Sequence, residues 1–130
     1  MSNVLHLNTE EFLETLKNNE IVFVDFYANW CGPCKMLAPS IDKLANEHPE
    51  VKVVKIDVDN EERLAYEYGV QSIPTLITFK DGQPARRQMG FLPYEMLEDM
   101  IMVAINEANK KVDATLEKKM GKFGNIPGLF

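Results

Sequence analysis

The chain has 130 residues, of which 45% are apolar and 26% are charged, and its net charge at pH 7 is −6. This length predicts one principal domain with its own hydrophobic core, and the composition is typical of a globular protein. The acidic balance argues against a protein that binds nucleic acid or anionic membranes, because both partners require a basic face.

The N-terminal region predicts a strand, a helix and a cytoplasmic protein. Val4 to Leu7 is typical of a short strand, and Asn8 and Glu11 have the spacing of a capping box. The inner face of the following helix is predicted to hold Phe12, Leu13 and Leu16. Glutamates occupy the region where a secretion signal needs basic and then apolar residues, and no segment has membrane-spanning length. We therefore expect a cytoplasmic location.

A run of large apolar residues, Val22 to Phe26, predicts a strand that is buried on both faces. It contains one carboxylate, Asp25, which is a candidate buried acid. Beyond this strand, apolar residues recur at helical spacing. A helix is therefore expected to begin inside Cys31-Gly32-Pro33-Cys34 and to end near Glu47. The proline suits a first helical turn, where its missing N–H has no partner to lose.

The two cysteines have the spacing of a redox pair. A thiol at a helix N-terminus meets unpaired backbone N–H groups, which favour the thiolate, so Cys31 is the predicted nucleophile and Cys34 the resolving thiol. The alternatives are a fixed disulfide, inert buried thiols or a zinc site. Zinc is disfavoured because His6 and His48 have no ligand spacing to the cysteines, and no metal is expected.

The middle of the chain predicts a strand and a short helix. Val51 to Val58 is rich in β-branched residues, and Lys55 is the charged residue of this segment that has an apolar neighbour on each side. Asn60 is predicted to cap the helix and Gly69 to end it. The inner face of this helix is predicted to hold Leu64, Ala65 and Tyr68.

A hairpin is predicted after residue 74. Thr75 to Lys80 is typical of a strand, and Asp81-Gly82 is a strong turn signal that pairs it antiparallel with Ala85 to Met89. Arg86 and Arg87 lie on the second strand, where charged side chains are expected to protect a sheet edge.

Pro93 predicts the start of the last helix. Apolar residues continue at four-residue spacing, so this helix is expected to reach residue 120, a length of about 40 Å. Residues 107–130 are predicted to form a C-terminal extension that is helical or irregular. Its apolar tail is expected to pack on the same molecule or to join two copies in a weak dimer. The alternatives are a partner-binding role and disorder.

The predicted order of elements, β-α-β-α-β-α-β-β-α, indicates a mixed central sheet with helices on both faces. Three motifs point to a family: Val24-Asp25-Phe26, Trp30-Cys31-Gly32-Pro33-Cys34-Lys35 and Ile73-Pro74-Thr75. Together they resemble the thioredoxin family over most of the chain. The resemblance implies the thioredoxin fold, an α/β architecture of about five strands flanked by four helices. Residues 1–106 would be the thioredoxin domain and residues 107–130 the extension.

Asp25 and Lys55 are predicted to assist the cysteines. A carboxylate in an apolar strand is costly to ionise, which raises its proton affinity toward the working range, so Asp25 is a candidate acceptor for the Cys34 proton. The resemblance supports this role and matches Lys55 to a lysine near that acid. The alternatives are a structural hydrogen-bonding role for Asp25 and a solvated strand position for Lys55.

The resemblance also implies a shallow apolar groove that binds substrate. Pro74 matches a cis proline of the family, which would hold backbone groups of its two neighbours toward an extended substrate segment. The predicted substrate-binding residues are Trp30, Gly32, Pro33, Ile73, Pro74, Thr75, Gly90 and Phe91. Simple packing is the alternative for Trp30. Tyr27 stands where members of the family commonly have a tryptophan, and Phe91 stands where they usually have a small residue. The phenylalanine is expected to narrow the groove.

These features predict a general protein-disulfide reductase with a redox-active Cys31–Cys34 disulfide and no bound cofactor. The resemblance implies disulfide-containing client proteins and an NADPH-dependent thioredoxin reductase as electron donor. A disulfide oxidase or isomerase is disfavoured, because isomerase relatives carry Gly-His where this chain has Gly32-Pro33. A partner-binding module in which the cysteines are incidental is the alternative from another class.

Overall fold

A computed structural model of the chain describes the backbone of residues 2–120 and the side chains of residues 2–107. The strands are β1 (Leu5–His6), β2 (Ile21–Tyr27), β3 (Lys52–Asp57), β4 (Thr75–Lys80) and β5 (Gln83–Met89). The helices are α1 (Thr9–Asn18), α2 (Gly32–Glu47), α3 (Glu62–Glu67) and α4 (Tyr94–Met120). The element order is the one that the sequence predicted.

The strands form one five-stranded mixed sheet in the order β1-β3-β2-β4-β5. β1, β3 and β2 are parallel, whereas β4 and β5 run antiparallel to their neighbours. β2 is therefore the central strand, and it delivers the chain directly to the start of α2. The predicted fold class is confirmed.

The side chains of β2 alternate between two hydrophobic cores, one on each face of the sheet. Ile21 and Phe23 belong to the core under α2 and α4. Val22, Val24 and Phe26 belong to the core under α1 and α3. The alternation places Asp25 on the α2 face, which is also the face that receives the helix carrying Cys34.

Two details of the helices differ from the prediction. Leu13 is 47% exposed, because α1 packs on the sheet through Phe12 and Leu16, which lie one turn apart on a narrow stripe. Asn60 does not cap α3. The amides of Asn60 and Glu61 both donate to the Asp57 carbonyl, so the turn continues through Asn60 and the helix begins later.

The predicted hairpin is present. Asp81 and Gly82 both have positive φ, 52° and 81°, which is the backbone conformation of a type I′ two-residue hairpin turn. β5 begins two residues earlier than predicted, at Gln83. It is an edge strand, so Pro84 costs no hydrogen bond to a further strand.

The last helix, α4, begins one residue after Pro93 and extends to Met120, as predicted. The proposed packing of the apolar tail falls mainly on residues 121–130, which lie outside the described part of the chain, and the division into domain and extension stays a prediction. Among the described residues, no helix combines the length and the apolarity that crossing a membrane requires.

Candidate active site

The junction between β2 and α2 positions both cysteines. The Cys31 amide donates to the Ala28 carbonyl at 3.2 Å, which closes a turn after the strand. Cys31 is the N-cap residue of α2, and its Sγ accepts a hydrogen bond from the Cys34 amide at 3.2 Å. Pro33 lies in the first helical turn, as predicted. The Cys31 sulfur therefore occupies the position at which a side chain satisfies the orphan donors of a helix.

The two cysteines are joined by a disulfide, and their Cα atoms are 5.2 Å apart. Both are largely buried, with 4% of Cys31 and 2% of Cys34 exposed. Between them, Gly32 and Pro33 are exposed. The site therefore presents its sulfurs beside an accessible backbone turn.

The segment before β4 lies against the disulfide. The Ile73–Pro74 peptide bond is cis, as the resemblance implied. The Ile73 carbonyl oxygen lies 3.8 Å from Cys31 Sγ. The Gly90 amide donates to the Pro74 carbonyl at 2.8 Å, and Gly90 has a φ of 88°, a conformation that side chains rarely adopt. Thr75 is fully buried, and its hydroxyl donates to the Ser72 carbonyl at 2.6 Å.

Two large apolar side chains are exposed in the segments that form the predicted groove. Trp30 is 70% exposed, which argues against simple core packing. Its indole N–H donates to a carboxylate oxygen of Asp59 at 2.9 Å. Phe91 is 45% exposed and directly follows Gly90. An aromatic side chain that keeps such exposure beside a reactive group is available to a partner.

Asp25 is a buried acid, as predicted. None of it is exposed, and neither carboxyl oxygen has a hydrogen-bond partner among the described residues. The alternative of a satisfied structural hydrogen bonder is therefore not what the structure shows. Burial raises the pKa of Asp25 from 3.8 to about 7, and the positive charge of Lys55 opposes that rise. The carboxyl group thus titrates near neutrality.

Lys55 lies directly opposite Asp25 in the register of β2 and β3. It is half-buried, and its Nζ lies 4.4 Å from the centroid of the Tyr27 ring, within the range of a cation–π contact. The tyrosine at position 27 therefore gives the lysine an apolar support beside the buried acid.

A family model described as Thioredoxin matches residues 3–103, a span that contains the cysteines, Asp25, Lys55 and the cis proline. The chain belongs to the thioredoxin family.

Relatives and solved structures agree with this assignment. A thioredoxin from Haemophilus influenzae is 46% identical over 103 residues, which cover 78% of this chain and 96% of that protein. A thioredoxin from Bacillus subtilis is 43% identical over 94 residues, 72% of this chain and 90% of that protein. A mutant thioredoxin from Halobacterium salinarum has a TM-score of 0.74 at 39% identity, covering 78% of this chain and 89% of its own. Mitochondrial thioredoxin 3 of Saccharomyces cerevisiae, in its oxidized form, has a TM-score of 0.69 at 39% identity, covering 75% of this chain and 92% of its own.

Thioredoxins are thiol–disulfide oxidoreductases, and this chain is a protein-disulfide reductase of that type with a redox-active disulfide between Cys31 and Cys34. The family implies two kinds of partner, disulfide-containing client proteins and a thioredoxin reductase.

Two acidic residues that support this thioredoxin site, Asp57 and Asp59, were not predicted from the sequence. The Asp59 carboxylate accepts the hydrogen bond from the exposed Trp30 indole, and the Asp59 amide donates to the Asp57 carboxylate at 2.8 Å. A signal was present, because Asp57 ends β3 and Asp59 follows it, and the carboxyl ends of adjacent parallel strands meet at one edge of the sheet.

Proposed function

We propose that Cys31 is the attacking thiol of this reductase and that Cys34 resolves the mixed disulfide. The observation that carries this assignment is the hydrogen bond from the Cys34 amide to Cys31 Sγ at the N-terminus of α2. In the reduced protein the same backbone donor and the helix dipole would stabilise a Cys31 thiolate. Cys34 begins the helix interior and lacks the N-cap position, so its thiol is the weaker acid of the two.

The exchange consumes two thiols and one disulfide. The Cys31 thiolate attacks one sulfur of the client disulfide, forms a Cys31–client disulfide and expels the other client sulfur as a thiolate. Cys34 then loses its proton and attacks Cys31 Sγ, which forms the Cys31–Cys34 disulfide and releases the second client thiolate. Two electrons pass to the client, and the protein ends in the oxidised form that the structure describes.

Asp25 is the proposed acceptor of the Cys34 proton. Its pKa of about 7 means that a fraction is ionised at neutral pH and that the group can both take up and release a proton there. It has no hydrogen-bond partner among the described residues, and strand alternation places it on the sheet face that α2 covers.

The proposed client-binding surface surrounds Cys31. Trp30 and Phe91 supply exposed apolar area, and the Ile73 carbonyl beside Cys31 Sγ can accept a hydrogen bond from an extended client segment. The residues proposed to contact or shape the client segment are Trp30, Gly32, Pro33, Ile73, Pro74, Thr75, Gly90 and Phe91. For Thr75 the contribution is restricted to shaping the backbone, since its side chain is buried and its hydroxyl is already bound.

The proposed context is a cytoplasmic redox cycle. An NADPH-dependent thioredoxin reductase would return the oxidised protein to its dithiol form, and the two sulfurs would carry the electrons without a bound cofactor. The acidic net charge of −6 fits protein clients better than nucleic acid or anionic membranes.

An insulin-reduction assay with dithiothreitol tests the roles of the two cysteines. We expect Cys31→Ser and Cys34→Ser both to be inactive, and Cys34→Ser to accumulate client mixed disulfides through Cys31. Ser40→Ala, a change on α2 outside the site, serves as the control and should match the wild type. Activity retained in Cys31→Ser would refute the assignment. A binding module would keep its partner when both cysteines are serine, whereas an exchange-dependent interaction would be lost.

A further inference from the structure

A second group of ligating side chains lies at the end of α2 that is remote from the cysteines. Glu47 is the last residue of α2, His48 is its C-cap, and Glu98 projects from the beginning of α4. One donor atom from each of these residues lies within 4.8 Å of the other two. The helix between the cysteines and this group has 16 residues, so the group is about 24 Å along the helix axis from the disulfide.

The donor set and its spacing suit a divalent transition metal. Imidazole nitrogens and carboxylate oxygens are both zinc ligands, and zinc that is held by three protein ligands completes its tetrahedron with water. Four donors at zinc bond lengths are about 3.4 Å from one another. The His48 Nε2 to Glu98 Oε2 distance is 2.9 Å, so a bound ion requires this pair to widen by about half an ångström. Glu47 is exposed and can approach by side-chain rotation.

We infer that Glu47, His48 and Glu98 form a zinc-binding site that links the C-terminus of α2 to α4.

The surroundings of the three ligands support this inference. The Nδ1 of His48 lies 3.8 Å from Glu50 Oε2, which places a third carboxylate beside the imidazole. Tyr94 donates its hydroxyl to Glu47 Oε1 at 2.8 Å, which orients that ligand and leaves its other oxygen for a cation.

The electrostatic environment also favours a cation. Three carboxylates surround a single imidazole, and the C-terminal end of α2 adds the negative end of a helix dipole. Lys43 is the opposing charge, but its Nζ lies over the Tyr94 ring, 4.3 Å from the centroid. Since the ligands come from two helices that pack on the same sheet face, a bound ion would stabilise their packing rather than act on client disulfides.

Calorimetric titration of the oxidised full-length chain with zinc chloride tests the site, because the disulfide removes both thiols as competing ligands. We expect one ion per chain. His48→Gln and Glu98→Gln should each weaken binding by at least about tenfold. Glu50→Gln removes a nearby negative charge without removing a ligand, and it should weaken binding less than either of them. His6→Gln removes the other histidine of the chain and should leave the affinity unchanged. Thermal unfolding of each variant without zinc verifies that it folds.

Nuclear magnetic resonance of the two imidazoles provides an independent readout. Zinc should shift the ring signals of His48 and leave those of His6 in place. The inference is overturned if zinc does not bind at millimolar concentration, if His48→Gln and Glu98→Gln bind it as tightly as the wild type, or if His6→Gln is the variant that loses binding. Insulin reduction in the same variants should remain at the wild-type level, so failure of this site and failure of the catalytic assignment are distinguishable.

Discussion

Asp25 and Lys55 occupy paired positions on the two adjacent parallel strands β2 and β3. The pairing places an ammonium group near a carboxyl group that is completely buried, and yet burial dominates, because the pKa of Asp25 is about 7. Desolvation of the carboxylate is therefore only partly offset by the lysine. The molecule retains an acid whose ionisation works against folding, which is a feature expected of a functional group rather than of a structural one.

The first prediction concerns the stability that the protein loses when the buried Asp25 ionises. Its folded-state pKa is raised from 3.8 to about 7, so the folded protein binds more protons than the unfolded chain between these values. The contribution of Asp25 to the free energy of unfolding is therefore fully present below pH 3.8, and it is lost as the pH rises from there to about 7. A shift of about 3 units corresponds to about 4 kcal/mol. In Asp25→Asn the free energy of unfolding should not fall in this way between about pH 4 and about pH 8. Chemical unfolding of the oxidised wild type and variant at about pH 4 and about pH 8 measures the difference.

The control for this experiment is Asp42→Asn, which changes an exposed carboxylate on α2. Its unfolding free energy should follow the wild-type pH dependence. Comparing the slopes with pH, rather than the absolute values, removes the cost of burying an amide at position 25. Parallel pH profiles for wild type and Asp25→Asn would contradict a pKa near 7.

The second prediction concerns Lys55. Its positive charge lowers the pKa of Asp25, so Lys55→Met should raise that pKa above about 7. Less of the carboxylate would be ionised at neutral pH, and the resolution of a Cys31 mixed disulfide should slow several-fold there and recover at higher pH. Rapid-mixing kinetics across a pH series measures this shift. Lys52→Met, an exposed lysine on the same strand, should leave the profile in place; a shift in both variants would indicate a general charge effect.

Features that depend on neighbours in the sequence were predictable. The capping box needs only Asn8 and Glu11, and both of its hydrogen bonds are present. The hairpin needs only the turn residues Asp81-Gly82, whose positive φ values a two-residue turn demands. The disulfide follows from the spacing of two cysteines at a helix start. In each case, one short segment contains all the groups that make the structure.

Features that depend on the register between distant segments were not predictable in this way. The Trp30 indole binds a carboxylate 29 residues away, and which acid it reaches depends on how β3 lies beside β2. Glu61 was not available to cap α3, because its carboxylate accepts from the amide and the hydroxyl of Thr9, 52 residues earlier. Such contacts form only after the sheet has assembled, so spacing along the chain carries no direct signal of them.

The third prediction separates two adjacent arginines on the edge strand β5. Both were expected to protect the sheet edge, but the guanidinium of Arg87 donates to the carbonyls of Tyr68 and Gly69, at 2.5 and 2.7 Å. These carbonyls lie at the C-terminal end of α3, so Arg87→Ala should destabilise the protein by about 1 kcal/mol. Arg86→Ala should change the unfolding free energy by less than about 0.5 kcal/mol. Urea unfolding measures both, and equal effects would show that the helix contact contributes nothing specific.

The fourth prediction concerns the orientation of Trp30 on the client-binding surface. Its side chain is 70% exposed, so the hydrogen bond from the indole to Asp59 is its principal polar restraint. Asp59→Ala should allow the ring to sample more rotamers, which lowers kcat/KM for insulin several-fold by weakening client positioning. Trp30 is the only tryptophan in the chain, so time-resolved fluorescence anisotropy reports its motion without interference, and a faster, larger-amplitude decay is expected. Glu67→Ala removes an exposed carboxylate of α3 and should change neither quantity. If the anisotropy decay of Asp59→Ala matches the wild type while its activity falls, the carboxylate acts on the client directly and does not work through Trp30.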